Sequence, residues 1–340
     1  MPTVLTQISS TSWEHPADRA ALNALRALPG FDEAVREIFG YFGERGIRQL
    51  FLGNAVRVGP AQRPRLWASY QEVLRTLDWP GTPEGAVPEL YVTQTPFVNA
   101  GAVGFKEPFI VLNTASLELL DEAERRFLLA HEVGHVMSGH VTYRTLAVLL
   151  LTVGLGALPI VVSAVLLPMQ LALLEWYRKA ELSSDRAGLL GVQEPRVAAS
   201  TFLKLAGGTR PGMGGDDDPL DVDAFLAQAE EYTSAGGARD TVLRVLNTAL
   251  RDHPFNTVRA GELQRWVRDG GYGVILAGEY DRRGERRRPL GDDVREAADY
   301  YGDQVRDMTS TLRASLGRAM DAFGEAFRES GGGSGSSGRN

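Results

Sequence analysis

Apolar residues recur at the three- and four-residue steps of an α-helix through the first part of the chain. Residues 16–50 divide at Pro29-Gly30 into two amphipathic helices, and a third candidate runs from Arg63 to Leu77. A turn-rich joint follows, from Asp78 to Pro83. We therefore predict an N-terminal helical region over residues 1–88.

The pattern changes to that of strands after this joint. Residues 89–94 alternate like a strand, and Phe109 to Leu112 form a short apolar, β-branched run. The residues between them, 96–104, are expected to be extended with tight turns. A few short strands in a predominantly helical chain predict the α+β fold class with a small sheet.

A helix with a marked beginning follows the strands. Asp121 and, three residues later, Glu124 form a capping-box pattern, and the helix runs to about Val136 or Met137. Helical patterns return at 178–190, 197–205, 222–232, 240–249 and 294–327. We expect residues 89–280 to form the main domain, 281–330 a charged linker with a C-terminal amphipathic helix, and 331–340 a disordered Gly/Ser tail.

The capped helix contains His131-Glu132-Val133-Gly134-His135, the pattern H-E-x-x-H. Histidines at i and i+4 lie one above the other on a helix, so both imidazoles can reach one metal ion. Zinc lowers the pKa of a bound water to about 7, and Glu132 can take its proton and pass it to a leaving amine. The pattern indicates a metallopeptidase that binds one Zn²⁺ per chain.

The same string has a less specific interpretation, as two partly buried histidines on an ordinary helix. The cap and the apolar stem of the helix argue against this alternative. Gly134 argues against it too. Glycine inside a helix costs about 1 kcal/mol of helix stability relative to alanine, so we expect it to have a purpose, namely to leave space where a substrate approaches. Manganese or cobalt in the same site is an alternative that the pattern leaves open.

A catalytic zinc needs a third protein ligand, and the sequence contains no cysteine. On a continued helix, His140 would lie roughly 500° around from His135, off the metal-facing stripe. A carboxylate from another helix is therefore expected. Glu181 and Asp185 share a helical face, so we assign Glu181 to the metal and Asp185 to a hydrogen bond that orients a ligand histidine. Without the H-E-x-x-H string, the pair would be two surface acids.

Composition narrows the functional class further. The net charge of −7 argues against a nucleic-acid partner, because such proteins usually carry a basic face. The lack of cysteine excludes disulfides, thiol nucleophiles and iron–sulfur clusters. The N-terminus has no basic start followed by an apolar core, so no secretory signal is expected.

Four blocks follow one another over residues 90–266. They are Asn99-Ala100-Gly101-Ala102, His131 to Val136 with His140, Glu181 with Asp185 and Ala187, and His253-Pro254 with Arg259. In order and spacing they resemble the zinc metallopeptidase family that includes the HtpX heat-shock proteases and the CAAX prenyl proteases, a gluzincin group. The resemblance implies a zincin-like fold with an active-site helix.

The resemblance also implies roles that spacing alone leaves unassigned. Asn99 to Ala102 would form an edge strand that pairs with the substrate backbone. His253 would stabilise the tetrahedral oxyanion, and Arg259 would anchor its loop by pairing with Asp185. From the residues alone, His253-Pro254 would be a helix-ending turn. The chain departs from the family at Gly101, where relatives often carry a large apolar residue.

Residues 145–174 carry no charge over thirty positions, long enough for one transmembrane helix. One crossing would place His135 and Glu181 on opposite sides of a bilayer, so the number of crossings is even or zero. Two full spans need about forty apolar residues. The stretch is therefore a hairpin that dips into one leaflet, bent near residues 154–159, a hairpin buried in a dimer, or a helix pair covered by the chain. The resemblance favours membrane contact from the cytoplasmic side, with a soluble cytoplasmic protein as the alternative.

Two functions remain. The first is an endopeptidase acting on a peptide or protein. The second is a zinc-bearing, membrane-associated interaction or quality-control module with little turnover, in which the ligands are structural. Glu132 favours the peptidase, because a structural site needs no base. The apolar stripe from Leu312 to Phe327 indicates a packing or homo-oligomer face, whereas His15 belongs to no motif and is expected at the surface.

Overall fold

A computed structural model of the protein describes residues 2–26, 31–80, 87–153, 160–208, 220–234 and 253–284. The helices expected at 240–249 and 294–327, the tail at 331–340 and the bend at 154–159 lie outside these residues. A homo-oligomer formed through the C-terminal helix therefore stays a prediction.

Helices make up most of the described chain. They are α1 (Pro16–Arg26), α2 (Phe31–Leu52), α3 (Pro64–Thr76), α4 (Thr114–Leu119), α5 (Glu122–Met137), α6 (Val141–Val153), α7 (Ile160–Val192), α8 (Pro195–Gly207), α9 (Val222–Ser234), α10 (Asn256–Arg268) and α11 (Gly271–Leu276). The strands are β1 (Ala55–Arg57), β2 (Glu89–Thr93), β3 (Ala100–Val103) and β4 (Phe109–Asn113). This architecture confirms the predominantly helical α+β class with a small sheet.

The four strands form one mixed sheet in the order β1-β2-β4-β3. β2 and β4 are parallel, whereas β1 and β3 run antiparallel to their neighbours. β3 is therefore an edge strand, and its register places Ala102 opposite Ile110. β1 was not predicted, since three residues are too few to establish an alternating pattern.

α5 begins with the predicted capping box. The Asp121 side chain accepts from the Glu124 backbone N–H, and the Glu124 side chain accepts from the Asp121 N–H. This pair fixes where the helix begins and therefore the direction of His131, about two and a half turns after Glu122.

α5 packs against α7 through small residues. A methyl group added at Gly134 would lie 2.5 Å from Ala187 Cβ, and one added at Gly191 would collide with Ala130. The expectation that Gly134 opens a path for substrate was wrong, because this glycine faces α7. Its absent side chain instead lets the two helices that carry the predicted metal ligands approach closely.

α7 begins at Ile160, well before the predicted start at Arg178. The apolar positions that precede Arg178 have no polar face, so periodicity does not separate a buried helix from an apolar hairpin. α6 and α7 pack against each other. Among the described residues, no helix is both long and apolar enough to span a membrane.

The N-terminal segment packs into the main hydrophobic core. Leu5, Ile8 and Trp13 are buried in the same cluster as Ile110 of the sheet and Phe127 of α5. Hydrogen bonds tie this segment to the end of α3, from Leu5 N–H to the Thr76 carbonyl, and to the segment after α11, from Ser9 N–H to the Asp281 carbonyl. The boundary at residue 88 stays a prediction.

Candidate metal centre

Two adjacent helices bring three potential metal ligands together. α5 supplies His131 and His135, and α7 supplies Glu181. His135 Nε2 lies 3.2 Å from His131 Nε2 and 3.1 Å from Glu181 Oε1. Within the described ranges, these are the residues whose ligand atoms converge, all within 4.8 Å of one another, and each is buried.

The donor set fits a zinc ion. Glu181 Oε2 is buried and, within the described part of the chain, accepts no hydrogen bond, although Arg259 Nη2 and His131 Nε2 each lie 3.5 Å from it. A buried carboxylate oxygen left without a donor is costly unless a cation satisfies it. Two imidazole nitrogens and one carboxylate are ligands that zinc accepts, with a fourth position left for water or substrate.

The charges in the site also favour a cation. Burial alone would lower the pKa of His131, but the carboxylates of Glu181 and Asp185 outweigh it and raise the pKa to about 9. Burial, reinforced by Arg144, lowers the pKa of His135 well below its usual value. Burial would raise the pKa of Glu181, yet the surrounding histidines hold it well below the usual range. The carboxylates around His131 therefore favour positive charge at this point, which a bound metal would supply.

Asp185 orients the first ligand. Its Oδ1 lies 2.9 Å from His131 Nδ1, and its Oδ2 accepts from Arg259 Nε at 2.8 Å. Burial would raise the pKa of Asp185, but Arg259 keeps it below its usual value, so the carboxylate is ionised. The ionised carboxylate accepts from Nδ1–H, which leaves Nε2 of His131 free for a metal. Arg259 therefore pairs with Asp185, as the resemblance implied.

His253 lies beside Glu181, at the edge of the ligand cluster. Its Nε2 is 3.6 Å from Glu181 Oε2, and its ring centroid is 5.5 Å from that of Tyr177. The side chain is 28% exposed, in contrast to the three buried ligands. It therefore lies where the site meets solvent, close enough to reach a group held at the metal position.

Glu132 connects the ligand helix to the edge strand. Its Oε2 accepts from Ala102 N–H and from Arg144 Nη1, both at 2.7 Å. Arg144 Nη2 also donates to the Ala100 carbonyl at 3.2 Å, and a Cβ added at Gly101 would lie 3.4 Å from this nitrogen. The glycine that departs from the family pattern thus faces the Arg144 guanidinium, and a methyl group there would be in van der Waals contact with it.

Sequence reasoning did not assign Arg144 to the site. A signal was present, because Arg144 directly precedes the charge-free stretch that starts at Thr145. A charged side chain in apolar surroundings requires a partner of opposite charge. The partner, Glu132, lies twelve residues away, beyond the spacing that helical periodicity pairs.

His140 lies behind the second ligand and, as expected, is not among the converging ligand atoms, but it comes closer to the site than a continued helix would allow. The prediction assumed a continuous helix, but α5 ends at Met137 and Gly139 takes a φ of 71°. The chain turns back there, and His140 N–H donates to the His135 carbonyl at 3.0 Å. His140 Nδ1 then lies 3.1 Å from His135 Nδ1.

His15 is also not where it was expected. It is 1% exposed, and its Nδ1 accepts the Ala17 N–H at the beginning of α1. A lone histidine carries no periodic signal, so its burial depends on how the N-terminal segment packs. That packing brings His15 to α10, where its Nε2 lies 3.8 Å from Glu262.

Comparison with known proteins adds independent findings. The model of peptidase family M48 matches residues 60–267. The plastoglobule-localized metallopeptidase 48, chloroplastic, of Arabidopsis thaliana is 34% identical over 278 residues, covering 81% of this chain and 78% of that protein. A protease HtpX homolog of Tropheryma whipplei (strain Twist) is 26% identical over 189 residues, covering 48% and 63%. No solved structure is significantly similar to the chain.

Proposed function

Because this chain belongs to peptidase family M48 and is therefore a metallopeptidase, we propose that it is a zinc-dependent endopeptidase. The observation that carries the proposal is the convergence of His131, His135 and Glu181 within 4.8 Å, beside Glu132. The buried Glu181 oxygen without a donor supports a cation at this point. Family membership disfavours the alternative of an interaction module with structural zinc.

Zinc held by these ligands would polarise the scissile carbonyl and lower the pKa of a coordinated water. Glu132 would act as general base, taking a proton from that water and passing it to the leaving amine. The hydrogen bonds from Ala102 and Arg144 hold one of its carboxylate oxygens in place. Its other oxygen is not involved in these two bonds and is the one we assign to proton transfer.

The substrate would lie along the edge strand. β3 is at the end of the sheet, and Asn99 to Ala102 lie at the strand that contacts Glu132. A peptide that adds to this edge would replace the bonds of Ala102 N–H to Glu132 and of the Ala100 carbonyl to Arg144, and would bring its own carbonyl between the base and the ligands. His253, 3.6 Å from Glu181, would then donate to the oxyanion, and Arg259 would hold Asp185 and with it His131.

The proposal is tested by metal analysis and cleavage of a general protein substrate. We expect about one zinc per wild-type chain, unchanged metal with no cleavage in Glu132→Gln, and loss of both in Glu181→Ala. Glu122→Gln, an exposed acid on the same helix, is the matched control and should keep both. Cleavage that survives in Glu132→Gln would show that the proposed mechanism is wrong.

We also propose that the charge-free stretch 145–174 contacts a lipid surface from the cytoplasmic side through its middle part, since Leu146 and Leu149 near its beginning and Leu173 near its end are buried in the protein. Its lack of charge supports the proposal, and so does the position of both flanking ligands in one site. The name of the Arabidopsis relative places that protein at plastoglobules. Shallow contact by the segment around α6 and the first part of α7 requires no complete span.

A further inference from the structure

Asp18 is a buried carboxylate on α1, outside the region that the family model covers. Three donors converge on it. Ser183 Oγ–H donates to Oδ2 at 2.6 Å, Trp176 Nε1–H donates to Oδ1 at 2.9 Å, and His140 Nε2 lies 3.0 Å from Oδ2. Its oxygens are thus occupied by groups from α7 and from the turn after α5.

One of those donors leads to the metal site. His140 Nδ1 lies 3.1 Å from Nδ1 of His135, whose Nε2 faces the other two ligands. When Nε2 of His135 binds a metal, its Nδ1 carries the hydrogen and must donate it. His140 can accept that hydrogen at Nδ1 only if its own hydrogen is on Nε2, where Asp18 accepts it. The hydrogen bonds therefore have one consistent direction, from His135 through His140 to Asp18.

We propose that Asp18 and His140 are positioning residues of the metal site, which hold His135 in the tautomer and orientation that bind the metal. This inference rests on the proposed metal site at His131, His135 and Glu181. It makes the N-terminal helix part of the metal centre. Asp18 acts on His135 through His140, whereas Asp185 acts on His131 directly, so each ligand histidine has its own carboxylate.

Asp18→Asn is the most informative change, because it keeps the volume and alters the hydrogen bonding. If the new amide nitrogen faces His140, it forces the opposite tautomer along the chain and places a hydrogen on Nε2 of His135. If it faces Trp176 instead, two donors oppose each other. Both orientations disturb the chain that ends at His135.

The measurement is the zinc dissociation constant, obtained by competition with a chromogenic chelator under conditions where each metal-free variant is folded by circular dichroism. We expect Asp18→Asn and His140→Leu to weaken zinc binding by about 10- to 100-fold. His140→Gln should stay within a few-fold of wild type, because its amide can accept from His135 and donate to Asp18. Glu262→Gln, which removes the carboxylate near His15 without reaching His135, is the matched control for damage to the same interface.

The outcomes separate this inference from the proposed function. Wild-type zinc affinity in Asp18→Asn and His140→Leu would overturn the inference and leave the peptidase intact. An equal loss in Glu262→Gln would also overturn it, because the effect would then reflect packing of the N-terminal segment. A wild type that binds no zinc would overturn both proposals.

Discussion

At the scale of single residues, His15 links the fold to pH. Burial, with a contribution from Arg186, lowers its pKa from 6.5 to about 4. The folded protein thus keeps His15 neutral where the unfolded chain protonates it. Because the unfolded state binds more protons between pH 6.5 and 4, the contribution of His15 to stability is present above pH 6.5 and is lost as the pH falls towards 4.

We expect His15→Asn to remove this dependence while keeping the cap of α1, since asparagine also accepts the backbone N–H two residues later. The measurement is the free energy of unfolding of both proteins by denaturant at pH 7 and pH 4. The wild type should lose on the order of 3 kcal/mol more than the variant between these values. Equal losses would mean that His15 is protonated without cost in the folded protein.

Residues that act along one helix could be predicted from their spacing, whereas three residues that reach the site from outside the four sequence motifs or through a helix end were not assigned to it. The steps of four between His131 and His135 and between Glu181 and Asp185 follow from helical geometry, and the structure brings all four together. Arg144 reaches the site from the beginning of α6, His140 reaches it through the left-handed Gly139, and Asp18 reaches it because α1 packs nearby. None of these three features has a period that a sequence pattern can show.

At the scale of elements, the close contact of α5 and α7 determines whether the ligands meet. Gly134→Ala places a methyl group 2.5 Å from Ala187 Cβ, so the helices must separate. We expect a loss of about 1–3 kcal/mol in the free energy of unfolding. Zinc affinity should fall as well, because His131 and His135 would move away from Glu181.

A compensating change distinguishes this packing effect from any other effect of Gly134. Gly134→Ala combined with Ala187→Gly moves the methyl group from α7 to α5 and should restore both stability and zinc affinity to near wild type. Ala187→Gly alone should cost about 1 kcal/mol through helix propensity and leave zinc binding intact. Failure of the double variant to recover would show that Gly134 has a role besides its contact with Ala187.

Elements also differ in how much of them the sequence predicts. α5 was predicted almost to the residue, because its capping box and apolar positions agree. Three of the four residues in the edge strand Ala100–Val103, two alanines and a glycine, have little β propensity, so only its motif indicated a strand. Short strands of this kind exist because a neighbour pairs with them, here β4.

At the scale of the whole molecule, the remaining question is what covers the charge-free stretch at 145–174. The full chain should float with lipid vesicles in a density gradient if this segment contacts lipid. Flotation should persist in 1 M salt, because burial of apolar side chains is not screened by ions. Leu151→Asp combined with Val162→Asp should abolish flotation and leave the zinc content unchanged, since neither position is a ligand. The chain also carries five arginines between positions 282 and 288, and flotation that salt abolishes would assign the contact to them instead. A wild type that stays with the soluble fraction would mean that protein, not lipid, covers the stretch.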